Sequence, residues 1–553
     1  MRKFKPVKRP ERTVTVKTKS GTYVYLTNGV AYNKDKKRTE PKRTLIGKLN
    51  DEGLLIPNQN YIDIYGEEVS LDVEQTRSDY VSYGLKMVAD KISANTQLKD
   101  LLENVFGDLT NKILDTACYM VASENNVMQY VDDYGFNHAL FNKKVFDDSS
   151  VGKMFDKIQV RDVDLFIKSW VNMHASNNVY IAYDSTNMNS TAGNLELAEF
   201  GHAKDDKALP QVNVSLGYNM TNNMPLFYET YPGSIIDNYE CSKMVERAAS
   251  YGCKNVGFIL DRGYFSMNNI RYFNEHGYKY LLMAKGNAKF IQDVINEYGP
   301  SVKNGYSYYI PDYDLYGLTT KVDLFKNKKP VYVHVYYNGI NAEKEKLAIN
   351  SKFHMQDKRL NELKECKIKR KEDIQAYSKY YDLRFDDNGY FLNYQRNDAK
   401  IKRLIDACGL FCIVSSEEMN AQEAISVYRN RDAVEKVFRM DKSYLGNDVF
   451  RVHSINKLES KMFVSFIALI IRNEICNASH RLIKGNQINK NEYTVPRIIR
   501  KLERIGVTKF SDDNYHQRYK LTSYLKNLLK QFGIEEKDFE LYTKTVIDEL
   551  NDC

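Results

Sequence analysis

The sequence has few cysteines, no C-x-x-C pair and no long apolar run, and each of these features excludes a class of protein. The eight cysteines are scattered, and the closest two, Cys408 and Cys412, have no histidines at zinc-finger spacing. We therefore expect free thiols in a reducing compartment rather than a zinc site or a disulfide framework. The longest apolar run, residues 462–471, is too short to span a bilayer and is predicted to form a buried helix.

The N-terminus also lacks the apolar segment of a signal peptide, so a cytoplasmic protein is expected. The net charge of +8 and the pI near 8.7 are only mildly basic, but the basic residues cluster in 1–19, 33–48 and 326–330. A basic tail by itself is weak support for nucleic-acid binding. At 553 residues the chain is long enough for several domains.

The middle of the chain predicts an α/β fold. Its strands and helices follow the order β-β-β-α-β-α-β, which is the ribonuclease-H-like arrangement of a three-stranded meander followed by α-β units on one mixed sheet. The predicted strands are 178–186, 210–219, 224–233, 256–264 and 278–286, and the predicted helices are 238–252 and about 266–275.

The remaining segments suggest further domains around this core. Residues 13–48 alternate as strands, with turns predicted at Ser20-Gly21 and Asn28-Gly29. The segment before the glutamate helix contains strands and a very basic helix, 358–375. The predicted domains are a basic β-rich DNA-binding module (1–75), a helical DNA-binding or linking domain (76–174), the first part of the core (175–286), a β-rich insertion (287–407), the second part of the core (408–480), and a helical C-terminal region with a possible role in dimerisation (481–553).

Two of the predicted core strands end on isolated aspartates, Asp184 and Asp261. If these strands are neighbours, their carboxyl ends lie side by side at the edge where open α/β sheets bind ligands. A single aspartate at a strand end is more often a turn cap. Together with Glu435 on a later helix, however, the two aspartates can converge on hard divalent cations such as Mg²⁺, which prefer carboxylate oxygens. Two such ions about 4 Å apart can cleave a phosphodiester.

The segment around Glu435 places four functional residue types on one helical stripe. Each helical residue turns by ~100°, so Tyr428, Arg431, Glu435 and Lys442 share a narrow face. One acid flanked by cations and a phenol suits a metal ion beside a phosphate. A plain solvated helix face is the alternative reading of the same charges.

These motifs resemble those of DDE transposases from bacterial insertion sequences. Tyr428, Arg431, Glu435 and Lys442 match, without a gap, the signature Tyr, two residues, Arg, three residues, Glu, six residues, Lys of the insertion sequence family four superfamily. The stretches "YDST" (183–186) and "FILDRGYFS" (258–266) resemble the motifs of the two catalytic aspartates. The resemblance covers roughly residues 175–475.

The resemblance implies transposition. Two subunits would pair the terminal inverted repeats of the element, nick the DNA at each end and join the 3′ ends to target DNA. Asp184, Asp261 and Glu435 would be the catalytic metal ligands for two Mg²⁺ ions, for which Mn²⁺ would substitute. Tyr428, Arg431 and Lys442 would grip phosphates near the cut.

Three further residues are candidates for DNA contacts. Lys204 lies with His202 and Asp205 in a polar loop that would either contact DNA or face solvent. Arg451 and His453 follow the signature helix, and either a DNA contact or an unrelated surface role fits them. Some relatives hold a flipped base with tryptophans, but this chain has only Trp170, far from the insertion in sequence.

Two other functions use the same residues. A ribonuclease-H-like nuclease that cuts without strand transfer would need the same three acids. A domesticated DNA-binding protein without catalytic activity would be expected to show decayed acids or a broken signature, and the sequence shows neither.

Overall fold

The structure is a computed structural model that describes residues 6–551 with the exception of short internal segments. The chain divides into two compact units, Met1–Val81 with Lys509–Asp512, and Ser82–Thr508 with Asp513–Cys553. The first unit extends slightly beyond the predicted module of residues 1–75. The segments outside the description are 19–20, 34–37, 51, 66–76, 176–179, 193–194, 202–208, 254–255, 326–329, 367–373, 433–434, 437–444, 447–448, 486–489, 511–513 and 518–519.

A four-stranded antiparallel sheet in the order β1-β2-β3-β4 forms most of the first unit. Thr18 stands opposite Gly21, at the position of the first predicted turn. The small core of the unit consists of Val24, Ile46, Leu55 and Tyr61. The elements are β1 Thr13–Thr18, β2 Gly21–Asn33, β3 Arg38–Leu49, β4 Leu55–Pro57 and α1 Gln59–Tyr65.

The second predicted turn of this region, at Asn28-Gly29, is wrong. Strand β2 continues through both residues, and its pairing with β3 shifts register between Thr27 and Val30. Gly29 has a φ of 113°, which a residue without a Cβ adopts at little steric cost. The glycine therefore accommodates a bulge within a strand rather than a reversal of the chain.

Helices dominate the start of the second unit, in line with the helical segment that the sequence predicts for residues 76–174. They belong to the same compact unit as the central sheet. Phe106 of α3 and Phe166 of α7 both pack against the ring of Phe463, from a later helix. The elements are β5 Tyr80–Ser82, α2 Gly84–Asn95, α3 Leu98–Phe106, α4 Thr110–Ser123, α5 Val131–Asn137, α6 Asp148–Lys157 and α7 Val160–His174.

The central sheet of this unit has the ribonuclease-H-like strand order. In space its first five strands lie in the order β8-β7-β6-β9-β10. Strand β6 is antiparallel to β7 and parallel to β9, and β9 is parallel to β10. This arrangement agrees with the predicted α/β core. The elements are β6 Tyr180–Ser190, β7 Gln211–Asn219, β8 Met224–Pro232, α8 Asp237–Ser250, β9 Gly257–Leu260, α9 Met267–His276 and β10 Lys279–Met283.

Part of the predicted insertion continues the same sheet. Strand β16 pairs antiparallel with β10 on one side and with β13 on the other, which extends the sheet to β12 and β11. These strands therefore widen the core rather than forming a separate β domain. The elements up to β16 are α10 Lys289–Asn304, β11 Tyr309–Ile310, β12 Leu315–Val322, β13 Val331–Tyr337, α11 Gly339–Glu365, β14 Tyr381–Phe385, β15 Phe391–Arg396, α12 Asp398–Asp406 and β16 Leu410–Ser415.

The remainder of the insertion is a helix packed on a hairpin, so the segment is mixed rather than β-rich. Helix α11 and the β14-β15 hairpin share their own core of Phe353, Leu360, Leu363, Ile374, Tyr381 and Phe391. The helix predicted at 358–375 begins much earlier, at Gly339, and its described part ends at Glu365. The basic residues 367–371 lie outside the described residues.

A long helix, α14, runs through the centre of the second unit. By length and composition it could cross a membrane, but 83% of its most apolar stretch is buried inside the protein. Residues 462–471 lie in this helix and are buried, as predicted. The last elements of the chain are α13 Ala421–Arg429, β17 Val449–Phe450, α14 Ile455–Gly485, α15 Val495–Leu502, β18 Gly506–Lys509, β19 Tyr515–Gln517, α16 Ser523–Lys530 and α17 Glu536–Asn551.

The single tryptophan offers a test of this packing. Trp170 of α7 is fully buried, and its Nε1–H donates to the carbonyl oxygen of Pro225 in β8 at 2.9 Å. Trp170→Phe keeps the apolar contact but leaves that carbonyl without its donor, so we expect a loss of roughly 1–3 kcal/mol in unfolding free energy. Denaturation followed by circular dichroism measures this loss. Phe136→Leu, at a half-exposed aromatic, should cost less than half as much.

Candidate active site

The register of the central sheet places the two candidate aspartates next to each other. The parallel pairing of β6 with β9 ends at Tyr183 opposite Leu260. Asp184 and Asp261 are the next residues on the two strands, so their backbones follow adjacent paired positions. Asp261 directly follows Leu260, the last residue of β9, and its carboxylate accepts a hydrogen bond from the Arg262 amide at 2.7 Å.

Asp184 does not end its strand, and the prediction that it does is wrong. Strand β6 continues to Ser190, paired with β7 on one side. Its described pairing on the other side ends just before Asp184 and resumes only with β17, opposite Asn189 and Ser190. The local end of the β9 pairing, not the end of the strand, positions this carboxylate.

The predicted single helix over 428–442 is also corrected. Helix α13 begins with a capping box between Asn420 and Glu423 and ends at Arg429. Arg431 lies in the turn that follows, where its amide bonds to the Tyr428 carbonyl at 3.0 Å. Helical residues return at Asp432 and around Glu435. The stripe is therefore interrupted, but three of its residues still meet at one place.

Arg431 joins the three candidate acids. One terminal nitrogen of its guanidinium lies 3.5 Å from Asp184 and 3.9 Å from Asp261, and the other lies 2.5 Å from Glu435. Arg431 itself is only 7% exposed. Residues from β6, from the end of β9 and from the segment after α13 thus converge on one buried cation, which supports the predicted grouping of the acids.

Tyr428 completes this arrangement. Its hydroxyl donates to Asp261 at 3.3 Å, and the Arg431 guanidinium lies 5.6 Å from the centre of its ring. Burial raises the pKa of Tyr428, so the phenol stays protonated and remains a donor. Burial by itself would lower the pKa of Arg431, but Tyr428 and the three carboxylates outweigh it and raise the pKa.

The donor set is chemically suited to a divalent cation. Three carboxylates provide hard oxygen ligands, and the side chains of Asp261 and Glu435 are 44% and 52% exposed. After the charge of Arg431 is counted, the group still carries two negative charges. Among the described residues no three acids, cysteines or histidines are already arranged as a metal site, because the guanidinium lies between these carboxylates.

Two of the other predicted contact residues are described, and neither belongs to this cluster. Lys204 and Lys442 lie outside the described residues, as do His202 and Asp205. Arg451 donates to Asn126 at 3.3 Å, and His453 is exposed. Within the described part of the chain, no hydrogen bond or ion pair joins either of them to the three acids.

A polar network beside Asp184 was missed at the sequence level. The Tyr183 hydroxyl bonds to Ser215 at 2.5 Å and lies 3.4 Å from the carboxylate of Glu229. Since successive residues of a strand face opposite sides, this network lies on the sheet face opposite Asp184. The alternation of strand residues around Asp184 indicates that Tyr183 faces the opposite side of the sheet. The contact of Tyr183 with Glu229 depends on the register of β6, β7 and β8, which the sequence does not give.

Comparison with known proteins gives the family. Residues 178–471 match the family described as the transposase DDE domain. This match spans more than half of the chain, so the protein belongs to the DDE transposases, and all three candidate acids lie within it.

Comparisons with curated proteins and with solved structures do not assign the protein to a narrower family. The search of curated proteins finds no match. Among solved structures, a cryo-EM structure of the piggyBac transposase synaptic complex with hairpin DNA is similar at 11% identity, with 83% of this chain and 76% of that chain covered. Its TM-score is 0.33, which is too low to support an argument, so the family match carries the assignment.

The contacts of Arg431 predict that removing this residue will increase the affinity of the three acids for Mg²⁺. Arg431→Met leaves three neighbouring carboxylates without their shared cation, so we expect a loss of roughly 1–3 kcal/mol in stability, limited by the exposure of two of the acids. Added Mg²⁺ should then raise the melting temperature of this variant more than that of the wild type. Thermal unfolding with and without Mg²⁺ measures both effects.

Arg429→Met is the matched control, because Arg429 is exposed two residues away and packs on the ring of Tyr313. It should behave like the wild type in both measurements. An Arg431→Met protein with no greater response to Mg²⁺ than the wild type would contradict this prediction.

Glu229 predicts a pH dependence of stability. Burial raises its pKa from 4.5 to about 7, although Arg247 opposes the shift. The folded-state pKa lies above the unfolded value, so the folded protein binds the extra proton and loses stability as the pH rises from about 4.5 to 7. Glu229→Gln removes this loss, so the variant should be more stable than the wild type at pH 8, by up to roughly 3 kcal/mol, and similar at pH 4.5.

Unfolding by denaturant at the two pH values measures the difference. Glu246→Gln, at an exposed acid of α8, serves as the control and should show no such gain. A Glu229→Gln protein that gains nothing at pH 8 would show that the carboxylate is compensated in the folded state.

Proposed function

We propose that this DDE transposase acts on the ends of a bacterial insertion sequence. It binds the terminal inverted repeats, cleaves the DNA at the ends and joins the 3′ ends to target DNA. The observation that supports this proposal is the convergence of Asp184, Asp261 and Glu435 on one point from three distant parts of the sequence. The narrower membership of the insertion sequence family four superfamily depends on the spacing of the Tyr-Arg-Glu-Lys signature.

Asp184, Asp261 and Glu435 are the residues that would hold two Mg²⁺ ions, with Mn²⁺ as a substitute. When bound, such ions activate the attacking oxygen and stabilise the leaving oxygen of a phosphodiester. The Tyr428 hydroxyl and the Arg262 amide both bond to Asp261, and they fix the orientation of that carboxylate.

Arg431 has two roles in this proposal. It reduces the repulsion among the acids, and its guanidinium supplies the N–H donors that match the oxygens of a phosphate in geometry. The Nε of Arg431 is buried and has no hydrogen-bond partner among the residues that the structure describes, so the side chain retains a donor beyond those used by the acids. A phosphate that enters beside the acids would meet this cation first.

The remaining parts of the proposal concern binding and assembly. Residues 1–75 and the helical segment after them would recognise the terminal repeats. Lys442, Lys204, Arg451 and His453 would contact DNA. Two copies of the chain would form the complex with the two ends, in the bacterial cytoplasm.

The catalytic part of the proposal is tested by removing each acid. Asp184→Asn, Asp261→Asn and Glu435→Gln each replace a metal ligand by an amide of similar size. Each should lower Mg²⁺-dependent cleavage at the element ends by about a thousandfold or more, which corresponds to ~4 kcal/mol of transition-state stabilisation. Binding to the same ends should stay within about twofold. Cleavage and strand transfer are measured on labelled end duplexes, and binding by gel shift.

Asp432→Asn is the control, since Asp432 is an exposed acid of the same turn. It should retain cleavage. Full nicking by any of the three acid variants would remove that residue from the site. Cleavage without strand transfer by the wild type would favour a nuclease, and end binding without either reaction would favour a silent DNA-binding protein.

A further inference from the structure

Two cationic side chains line a cavity away from the acid cluster. It lies between the loop at 126–129, helix α6 and the start of α14, and its volume is about 290 Å³. Arg451 and Lys461 both line it, together with one acid, Asp148. No ion pair joins Asp148 to either cation within the described residues. The cavity therefore holds an excess of positive charge.

Lys461 is the unusual member of this group. It is only 3% exposed, and its ammonium group has no hydrogen bond or ion pair in the part of the chain that the structure describes. Burial lowers its pKa to about 8, and the neighbouring charge of Arg451 adds to this effect. A buried ammonium without a partner is costly for the folded protein, so this geometry is suited to a ligand that supplies negative charge.

Arg451 makes the same cavity accessible from the surface. The residue is exposed, and its described polar contact is a single bond to the Asn126 amide oxygen at 3.3 Å. A neutral amide leaves the charge of the guanidinium uncompensated. One buried and one exposed cation can thus hold an anion from two sides.

The position of the cavity relates it to the acid cluster. Arg451 directly follows β17, whose Phe450 pairs with Ser190 of β6. Ser190 lies six residues beyond Asp184 on the same strand, which is at most about 20 Å at the rise of a β-strand. Phosphates along one DNA strand are about 3.4 Å apart in axial rise. This span along β6 corresponds to about six nucleotides, and Arg451 lies beyond it, after the neighbouring strand β17.

We propose that Lys461 and Arg451 form a binding site for a backbone phosphate of DNA, separate from the acid cluster and several nucleotides from the cleaved bond. The inference rests on the proposed function, because it assumes that the DNA runs past the three acids. It adds a specific contact, Lys461, that the sequence does not indicate, since lysines inside an apolar helix usually extend to the surface.

The first test is the salt dependence of DNA binding by the full chain. Lys461→Met should reduce the slope of log affinity against log salt by about 0.9, the value for one phosphate contact on duplex DNA. Any duplex of defined sequence serves as the probe, so neither the terminal repeats nor catalysis is needed. Lys457→Met is the matched control, because Lys457 lies one turn earlier on α14 and pairs with Asp156 at 3.5 Å. Its slope should stay closer to that of the wild type.

The pH dependence gives a second test. Among the described residues that line the cavity, the ionisable side chains are those of Arg451, Asp148 and Lys461. Lys461 loses its charge as the pH rises through about 8. The affinity of the wild type for duplex DNA should therefore fall between pH 7 and 9 more steeply than that of Lys461→Met.

The variant should fold, because it replaces an unpartnered buried charge by an apolar side chain. Thermal unfolding checks this, with inorganic phosphate added as a second probe. If phosphate stabilises the wild type but not Lys461→Met, while the salt slope for DNA is equal in both proteins, the cavity binds free phosphate and the DNA site is overturned. If neither probe distinguishes the proteins, Lys461 is a buried structural residue and the site is overturned. Neither result affects the test of the three acids, which measures cleavage.

Discussion

The candidate active site depends on one charge interaction, the contact of the Arg431 guanidinium with three carboxylates. A buried guanidinium without acids would be unfavourable, and three adjacent carboxylates without a cation would repel one another. Each therefore requires the other in the folded protein. The contact also brings together residues that are far apart in sequence, since Asp184 lies in β6, Asp261 directly follows β9 and Glu435 lies in the segment after α13. Formation of the site is thus coupled to formation of the whole core.

The sheet register makes this contact possible. Tyr183 opposite Leu260 is the last pair of the parallel strands β6 and β9, so the two aspartates emerge where the pairing stops. A shift of one residue in either strand would turn its aspartate to the opposite face. On that face Tyr183, Ser215 and Glu229 form their own polar network. Two polar groups on opposite faces of one strand therefore constrain its register, beyond what the apolar core alone specifies.

The sequence was sufficient to predict the strand order of the core and the grouping of the three acids. Alternation and helical period are local, and the order of the elements limits the topology, so these features are accessible without coordinates. The exact ends of elements were less accessible. Gly29 indicated a turn but lies in a bulge, and the helix of Tyr428 ends at Arg429 although the period continues. The insertion is predicted to be β-rich because its strands are clear from local sequence. Their place in the central sheet depends on β16, which pairs with both β10 and β13. Strands β10 and β16 are more than 100 residues apart in sequence, so this pairing is not visible in the local pattern. The burial of Lys461 could not be predicted either, because it depends on packing of its helix against α6 and the loop at 126–129.

The distribution of charge follows from these constraints. The protein carries a net charge of only +8, so its affinity for DNA must come from where cations lie rather than from their number. Arg431 contacts three carboxylates, and its charge is largely balanced within the protein. Lys461 and Arg451 are not balanced in this way, since no carboxylate pairs with either of them in the described residues. The two sites therefore differ in the positive charge that is available to a phosphate. At the acid cluster, a phosphate must compete with three carboxylates for the guanidinium of Arg431. At the cavity, it meets two cationic side chains that pair with no carboxylate in the described residues. A transposase that must hold DNA while the bonds at the acids change has a physical reason to separate these two functions.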